Sequence, residues 1–541
     1  MSKKKRRQPP APVPAPAAGD GPQAALGTSA MARRPEFLLW TPQLYDADSA
    51  EQWEREDQRA FSRQLFTESP PARAAIRRKV EYRVGTGLRL QSRIDAQELR
   101  LTDEQAEEWQ TLAEKRFHMW ASSPFASVEG DQNFYEMQAL IAQSRELSGD
   151  VFGILTRKER PNWPFRTAIQ LIEADRVCNE NNTANTSELY EGIKRAADGE
   201  IVSIFVANHH PNRVINAATN KKWSEISIYA PNGRRNIFHA KKMERPGQTR
   251  GMPSLSVCTS ILKQVTRYSE AELTAAINAA TQAVFARMST DSFKDLFHDP
   301  AQQEQYINQG LQARQDAQGT DSGRILNLLP GEEVSSPTPG RPNPNFGAFV
   351  NDFYTQLGMG VNVPREVILG VFESSYTAAR AQLQQFWQTI YINRASDEAQ
   401  ILNPIYHTFL FDSIADGIIQ APGFFSNIFI RYAWSGSQWT GMGPSSLNPL
   451  DEARAAVLLA GNITTEEEEA MKFDGGIWKT RHKQRVREMK ARRRDGLPPL
   501  GATATPATEP TDDSIDDNID DSIDDNDEDD DQSPDQQRQT P

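Results

Sequence analysis

What most constrains this chain is a double change of hydrophobic period. Between residues 50 and 148 the apolar positions recur at the three-and-four spacing of helices. Between 151 and 239 they gather into short runs of strand character, and from 253 onward the helical spacing returns. Helices, then a strand-rich middle, then helices again read as an α+β fold.

The helical patterns have local punctuation. Residues 50–66, with Trp53, Phe61, Leu65 and Phe66, predict an amphipathic helix that Pro70–Pro71 interrupts; a second runs through Ile76 and Val80 to Gly85-Thr-Gly87. Thr102-Asp-Glu-Gln105 has the form of an N-cap with an acidic first turn, before a helix carrying Trp109, Leu112, Phe117 and Trp120. Another helix is expected over 131–148. Strands are expected at 151–156, 167–173, 201–207, 223–229 and 236–239, joined by polar loops such as 179–188. The longest helical signal runs from Pro253 to about Met288, enough for about 50 Å if unbroken. After a Pro-rich loop at 335–344, helices are expected at 346–357, 376–393, 395–419, 451–460, 464–471 and 478–494, with one short strand at 427–432.

Length and charge bound the rest. The chain has 541 residues, enough for about three packed units. The net charge of −13 is uneven: from Glu509 to the last residue stand 15 acidic residues and one basic residue, Arg538, so this tail holds −14 and the remainder sums to +1. The start, MSKKKRRQPPAPVPAP, is basic and Pro/Ala-rich and lacks the apolar segment of a secretory signal. Both ends are expected to be disordered, the first as a solubilising or nucleic-acid-binding arm, the second as a solvating tail or an acidic motif for a basic partner or divalent cations. No run of eighteen apolar residues occurs, so no membrane partner is expected. Two cysteines, Cys178 and Cys258, give no metal spacing and at most one disulfide.

No catalytic constellation stands out: no phosphate-binding loop, no H-E-x-x-H and no G-x-S-x-G. No catalytic residue, metal ligand or cofactor is therefore expected. His209-His210 reads as loop surface, with a metal or partner contact as the alternative. The acidic residues up to Asp175 read as strand-end residues rather than a catalytic pair. The basic run Lys479, Arg481, Lys483, Arg485, Arg487, Arg492, Arg493 and Arg494 covers several faces of its helix. It is either a solvated helix or a DNA-proximal surface that releases counterions from phosphate.

Six local patterns in fixed order resemble the lambda-type family of phage portal proteins. They are Trp109…Phe117…Trp120 with Asp131-x-x-Phe134 and Gly149-Asp150-Val-Phe; Ile169-Gln-Leu-Ile-Glu-Ala-Asp-Arg176; Glu191-Gly-Ile…Asp198-Gly199; Arg245-Pro-Gly-Gln248-Thr-Arg250-Gly251-Met-Pro; Val363-Pro…Ser374-Ser-Tyr376-Thr-Ala-Ala-Arg380; and Trp434…Asn448-Pro449. The family usually has Gly-Glu at Gly149-Asp150 and often Asp-Pro at Asn448-Pro449. The resemblance covers residues 45–497. It implies a protomer with a mixed α/β wing, long stem helices, a clip and a helical crown, assigned here as arm 1–35, wing-like core 36–252, stem- and clip-like 253–344, channel- and crown-like 345–496 and tail 497–541.

The resemblance also implies a ring of about twelve copies at one capsid vertex, since head-to-tail interfaces can close a circle. Such a ring serves as the conduit for double-stranded DNA in packaging and ejection. Its partners would be the terminase large subunit, the major capsid protein or scaffold, and head–tail connector proteins, in the virion and, during assembly, the host cytoplasm. A conduit for DNA favours few fixed phosphate contacts and no base readers; the loop 335–345 is one channel-lining candidate. The competing readings are a non-ring minor capsid or scaffold protein and a nuclease-type DNA-processing subunit.

Overall fold

The computed structural model describes residues 44–212, 222–280, 285–288, 299–317, 332–335, 346–372, 375–444, 449–474 and 476–497. The basic arm, the acidic tail and most of the loop 335–345 lie outside them.

The chain opens with three helices, α1 (Ala47–Glu51), α2 (Arg55–Glu68) and α3 (Pro70–Val84). Pro70 sits at the first turn of α3, where its missing N–H costs nothing, and Ser69 before it is extended, which ends α2. α2 follows its apolar pattern only at its end, where Leu65 and Phe66 pack against the helical core. Its buried residues are Arg55, Arg59 and Ser62, whereas Trp53 is 82% exposed and Phe61 48%.

β1 (Arg89–Ser92) follows, then α4 (Asp103–Ala121) and α5 (Phe134–Ser148). Both helices begin with a reciprocal capping box, Thr102 with Gln105 and Asn133 with Glu136. α5 ends at Gly149, whose φ of 85° lies in the left-handed region.

The middle holds β2 (Asp150–Arg157), β3 (Thr167–Ile172), β4 (Leu189–Tyr190), β5 (Ile193–Arg195), β6 (Ile201–Ala207), β7 (Trp223–Ser227) and β8 (Ile237–Lys241). They form two antiparallel sheets, ordered β3-β2-β8 and β4-β5-β6-β7. In β2, Val151 and Leu155 face the large aromatic core, while Phe152 and Ile154 face a second core shared with β5 and β6 through Ile193, Ile204 and Val206. The strand is apolar on both faces because both are covered.

The rest of the chain is α6 (Thr259–Ala280), β9 (Phe285–Met288), α7 (Pro300–Ala317), β10 (Glu332–Ser335), α8 (Phe346–Val361), α9 (Arg365–Leu369), α10 (Tyr376–Asp397), α11 (Asn403–Ala415), α12 (Ile428–Trp434), β11 (Ser437–Thr440), α13 (Pro449–Asn462), α14 (Glu466–Asp474) and α15 (Trp478–Arg494). Three expectations are corrected here. The helix expected over 253–288 is shorter: α6 is described over Thr259–Ala280, about 33 Å at 1.5 Å per residue, and Phe285–Met288 pairs antiparallel with Glu332–Ser335 instead. The strand expected at 427–432 is helix α12, because the Asn427 side chain accepts from the Phe429 N–H at 2.8 Å and caps it. The helices expected at 376–393 and 395–419 run on through a π turn, Glu398–Leu402, and end at Ala415.

The aromatic core is centred on Phe117, Trp120 and Phe134 of α4 and α5, packed on β2, β3 and β8 and closed by Tyr406 and Phe409 of α11. A second helical core joins α3, the start of α6, α8, α9 and α10 through Ile76, Leu262, Leu357, Ile368 and Trp387. β1 and β11 pair antiparallel, Arg89 opposite Thr440, and so join the segment after α3 to the segment after α12. By contact pattern the chain divides into two units, Met1–Trp478 and Lys479–Pro541. All that precedes α15 belongs to the first.

Gly149 and Gly251, 102 residues apart, cross backbone on backbone: a Cβ on Gly149 would lie 2.3 Å from the Gly251 carbonyl oxygen, and a Cβ on Gly251 2.1 Å from the Gly149 carbonyl oxygen. Gly149→Ala is expected to destabilise the chain by about 1–3 kcal/mol, through its positive φ and this overlap. A lowered urea midpoint checks it.

Candidate functional site: a buried arginine–carboxylate latch and an exposed basic helix

The crossing of Gly149 and Gly251 places their neighbours, Asp150 and Arg250, against each other inside the protein. The Asp150 carboxylate is fully buried and accepts from Arg250, from Arg59 at 3.1 Å and from His239 at 3.2 Å. Arg250 is also fully buried. It donates to the carbonyls of Glu191 at 2.8 Å, Ala174 at 2.8 Å and Val177 at 3.0 Å. It lies over the Phe152 ring, on which His239 is stacked. One guanidinium therefore ties β2 to the turn after β3 and to the hairpin leading into β5, each bond charge-assisted.

The buried face of α2 supplies the rest. Arg55 reaches Glu191, and Glu51 at 3.2 Å. Arg59 donates to the Ser148 carbonyl at 2.9 Å, and Arg63 bonds Asp175. Spaced by four, these arginines share one side of the helix. The segment carrying Gln248 and Thr249 grips α1: Gln248 donates to Glu51 at 3.0 Å, and the Thr249 N–H to Asp48 at 2.7 Å. Lys241 caps the Gln248 and Thr249 carbonyls at 2.7 and 2.8 Å, and burial lowers it to about 8.

A second cluster joins three helices. Arg83 of α3 binds Asp397 at the end of α10, and Glu146 of α5 at 3.0 Å; Lys79 reaches Glu146 at 2.7 Å and Arg145 reaches Asp397 at 3.0 Å. A third centres on buried Asp412 of α11, held by Arg234 through two bonds of 2.8 Å and by Thr167 at 2.8 Å.

The electrostatics are those of structural ion pairs. Burial pushes Glu146 upward, yet Lys79 and Arg83 outweigh it and hold it at about 2. Burial likewise opposes the charge on Asp150, and Arg250 and Arg59 keep it well below the usual carboxylate range. Each remains an anion committed to cations, unlike a general acid or base poised near neutrality.

His239 behaves differently. Burial outweighs its bond to Asp150 and lowers it from 6.5 to about 4. As pH falls, the unfolded chain takes up this proton first. The stability His239 contributes is full above about 6.5 and declines as pH falls toward 4, by about 1.4 kcal/mol per unit at most. Urea midpoints should fall more between pH 7 and pH 5 for the native chain than for His239→Gln.

The remaining residues singled out by sequence are distributed as follows. Trp109 and Trp434 meet with ring centroids 4.6 Å apart; Trp109 donates to the Gln420 carbonyl at 2.7 Å and Trp434 to that of Pro422 at 3.2 Å. Asp131 is exposed and accepts from Ser127 at 3.3 Å. Arg380 on α10 lies 3.6 Å from Glu452 of α13, the helix that Pro449 begins, and Tyr376 is the first residue of α10. Both cysteines are free thiols. His210, read as loop surface, is half-buried and bonds Asp175 at 3.3 Å. With Glu173 it forms a group whose ligand atoms lie within 4.8 Å of one another, but Arg63 already occupies both carboxylates.

The basic residues stand apart. Lys479, Arg481, Lys483, Arg485, Arg487, Arg492, Arg493 and Arg494 all lie on α15, none of whose residues is buried. Among the described residues no helix is long and apolar enough to cross a membrane.

Antiparallel sheets and helical layers joined by buried ion pairs define an α+β protein whose buried charges are structural. The family model for phage portal proteins of the lambda family matches residues 33–394. The chain belongs to that family, and its function is the portal's, the passage at a capsid vertex through which DNA is packaged. It is 24% identical over 452 residues to portal protein B of Escherichia phage lambda, covering 80% of this chain and 83% of that one. It is 24% identical over 485 residues to the portal protein of Escherichia phage N15, covering 86% and 90%. Among solved structures it is similar to a chain of the virion of a native gene transfer agent particle, at 14% identity and a TM-score of 0.39, over 82% of this chain and 94% of that one.

Proposed function

We propose that about twelve copies of this chain close head to tail into the portal ring, which receives the terminase large subunit during packaging and head–tail connector proteins afterwards. The family match across residues 33–394 carries this reading. The ring is built in the host cytoplasm beside the major capsid protein or scaffold and ends in the virion. The chain itself turns over no nucleotide; the motor is its partner. The pairing of the buried carboxylates supports a structural role, since a body subjected to packaging force gains from groups that each fix several elements at once.

On this reading residues 36–252 form the wing, α6 stands in the stem and the helices of residues 345–496 line the channel and crown. α15 runs near the duplex, where a few exposed cations attract phosphate without reading bases. Light scattering of the purified chain, with electron-microscope imaging, is expected to show annular particles of about twelve times 60.7 kDa. A monomer at all concentrations and salts overturns the ring.

A further inference from the structure

We propose that α15 is a docking surface for the chain's own acidic segment, residues 512–531, which lies on it as a stand-in for DNA phosphate until duplex displaces it.

The two partners are complementary in charge and size. α15 holds nine Lys and Arg against one acidic residue, Glu488, in 17 residues, and buries none of them. A helix of that length is about 26 Å long. Residues 512–531 hold thirteen Asp and Glu, with no Lys or Arg among them. Acidic pairs recur every four residues, at Asp512-Asp513, Asp516-Asp517, Asp520-Asp521 and Asp524-Asp525, with Ile515, Ile519 and Ile523 between them. An anion pair every four residues presents a regular charge ladder to a helix whose cations recur along its whole length. Val486 and Met489, the latter 57% exposed, give the isoleucines an apolar counterpart.

The connection makes the encounter intramolecular. Residues 495–511 can reach up to about 55–60 Å at full extension, more than twice the length of α15. Every cation on the helix is therefore within reach, and a short tether sets an effective concentration on the order of millimolar. The contact is electrostatic, so it weakens with salt over the same range as phosphate binding does. The consequence is selective: stray nucleic acid at low local concentration meets a covered helix, whereas duplex threaded past a ring of such helices competes at very high local concentration. This consequence rests on the placement of α15 beside DNA; the docking itself does not.

The test uses the full chain and a variant with Asp→Asn at 512, 513, 516, 517, 520, 521, 524 and 525. Zero-length carbodiimide coupling, read by mass spectrometry, is expected to join Lys490 to residues 512–531 in the native chain and to lose those links above about 0.5 M salt. Anisotropy with a short random-sequence duplex is expected to show about tenfold or tighter binding for the Asn variant at low salt. That gain should vanish when Arg485→Glu, Arg487→Glu and Arg493→Glu are added. Absence of the cross-links at low salt overturns the docking even if α15 binds duplex. Cross-links that form while duplex binding ignores every α15 substitution leave the docking standing and sink the DNA placement. Links that appear only between differently isotope-labelled copies overturn the intramolecular assignment in favour of a neighbouring chain.

Discussion

Asp150→Asn is expected to cost the folded chain about 3–5 kcal/mol, as the loss of one partner from a buried ion pair does. The asparagine keeps the shape and some hydrogen bonding but removes the only charge that Arg250 and Arg59 share at its position. Arg250 is fully buried and Arg59 nearly so, and neither can shed its proton cheaply. The damage spreads because Arg250 also holds three backbone carbonyls and Arg59 a fourth. Urea unfolding followed by near-ultraviolet circular dichroism should show the drop, with fewer rings formed. Asp131→Asn, at an exposed carboxylate, is the control and should stay within about 0.5 kcal/mol. Equal behaviour of the two variants would refute the latch as a stabilising centre.

Phe117→Ala is expected to cost about 3–5 kcal/mol by a different route, a cavity. Phe117 is 1% exposed and makes edge-on or tilted contacts with Trp120, Phe134, Tyr406, Phe409 and Trp439, at centroid distances of 5.2 to 5.7 Å. These rings come from α4, α5, α11 and β11, so no single neighbour can move in to fill the space. Phe117→Leu should lose markedly less, because it keeps most of the volume. Thermal unfolding of both variants beside the native chain distinguishes cavity from charge, since neither change should alter the pH dependence assigned to His239.

Much of the fold could be read from periodicity and punctuation. The strand 201–207 and the helix 478–494 have the bounds expected, and the Thr102 cap is where its residue type requires it. What escaped detection depended on distant partners. β1 and β11, Arg-Leu-Gln-Ser and Ser-Gln-Trp-Thr, are too short and too polar to show alternation, and each exists because the other completes it. Met288 continues a helical spacing that the pairing of Phe285–Met288 with Glu332–Ser335 overrides. The Ile428-Phe-Ile430 run imitated a strand until a cap at Asn427 is considered.

The candidate site was visible as residues but not as a site. Gly149, Asp150, Arg250 and Gly251 each stand in a recognisable motif, and nothing in the spacing says that the two pairs cross. α2 misled most. Leu65 and Phe66 do pack inward, but Trp53 and Phe61 do not, and the rest of the inward face is arginine, an arrangement that makes sense only once Glu191, Asp150 and Asp175, 91 to 136 residues away, are seen to receive it.

The pairing of β1 with β11 has a consequence for synthesis. The Thr440 hydroxyl and the Arg89 carbonyl that meet there are 351 residues apart. At about 5–20 residues per second, a ribosome needs roughly 20–70 s to deliver the second strand after the first. For that interval the emerging chain holds an open strand edge beside Leu88 and Leu90, and any product cut short before Thr440 never closes it.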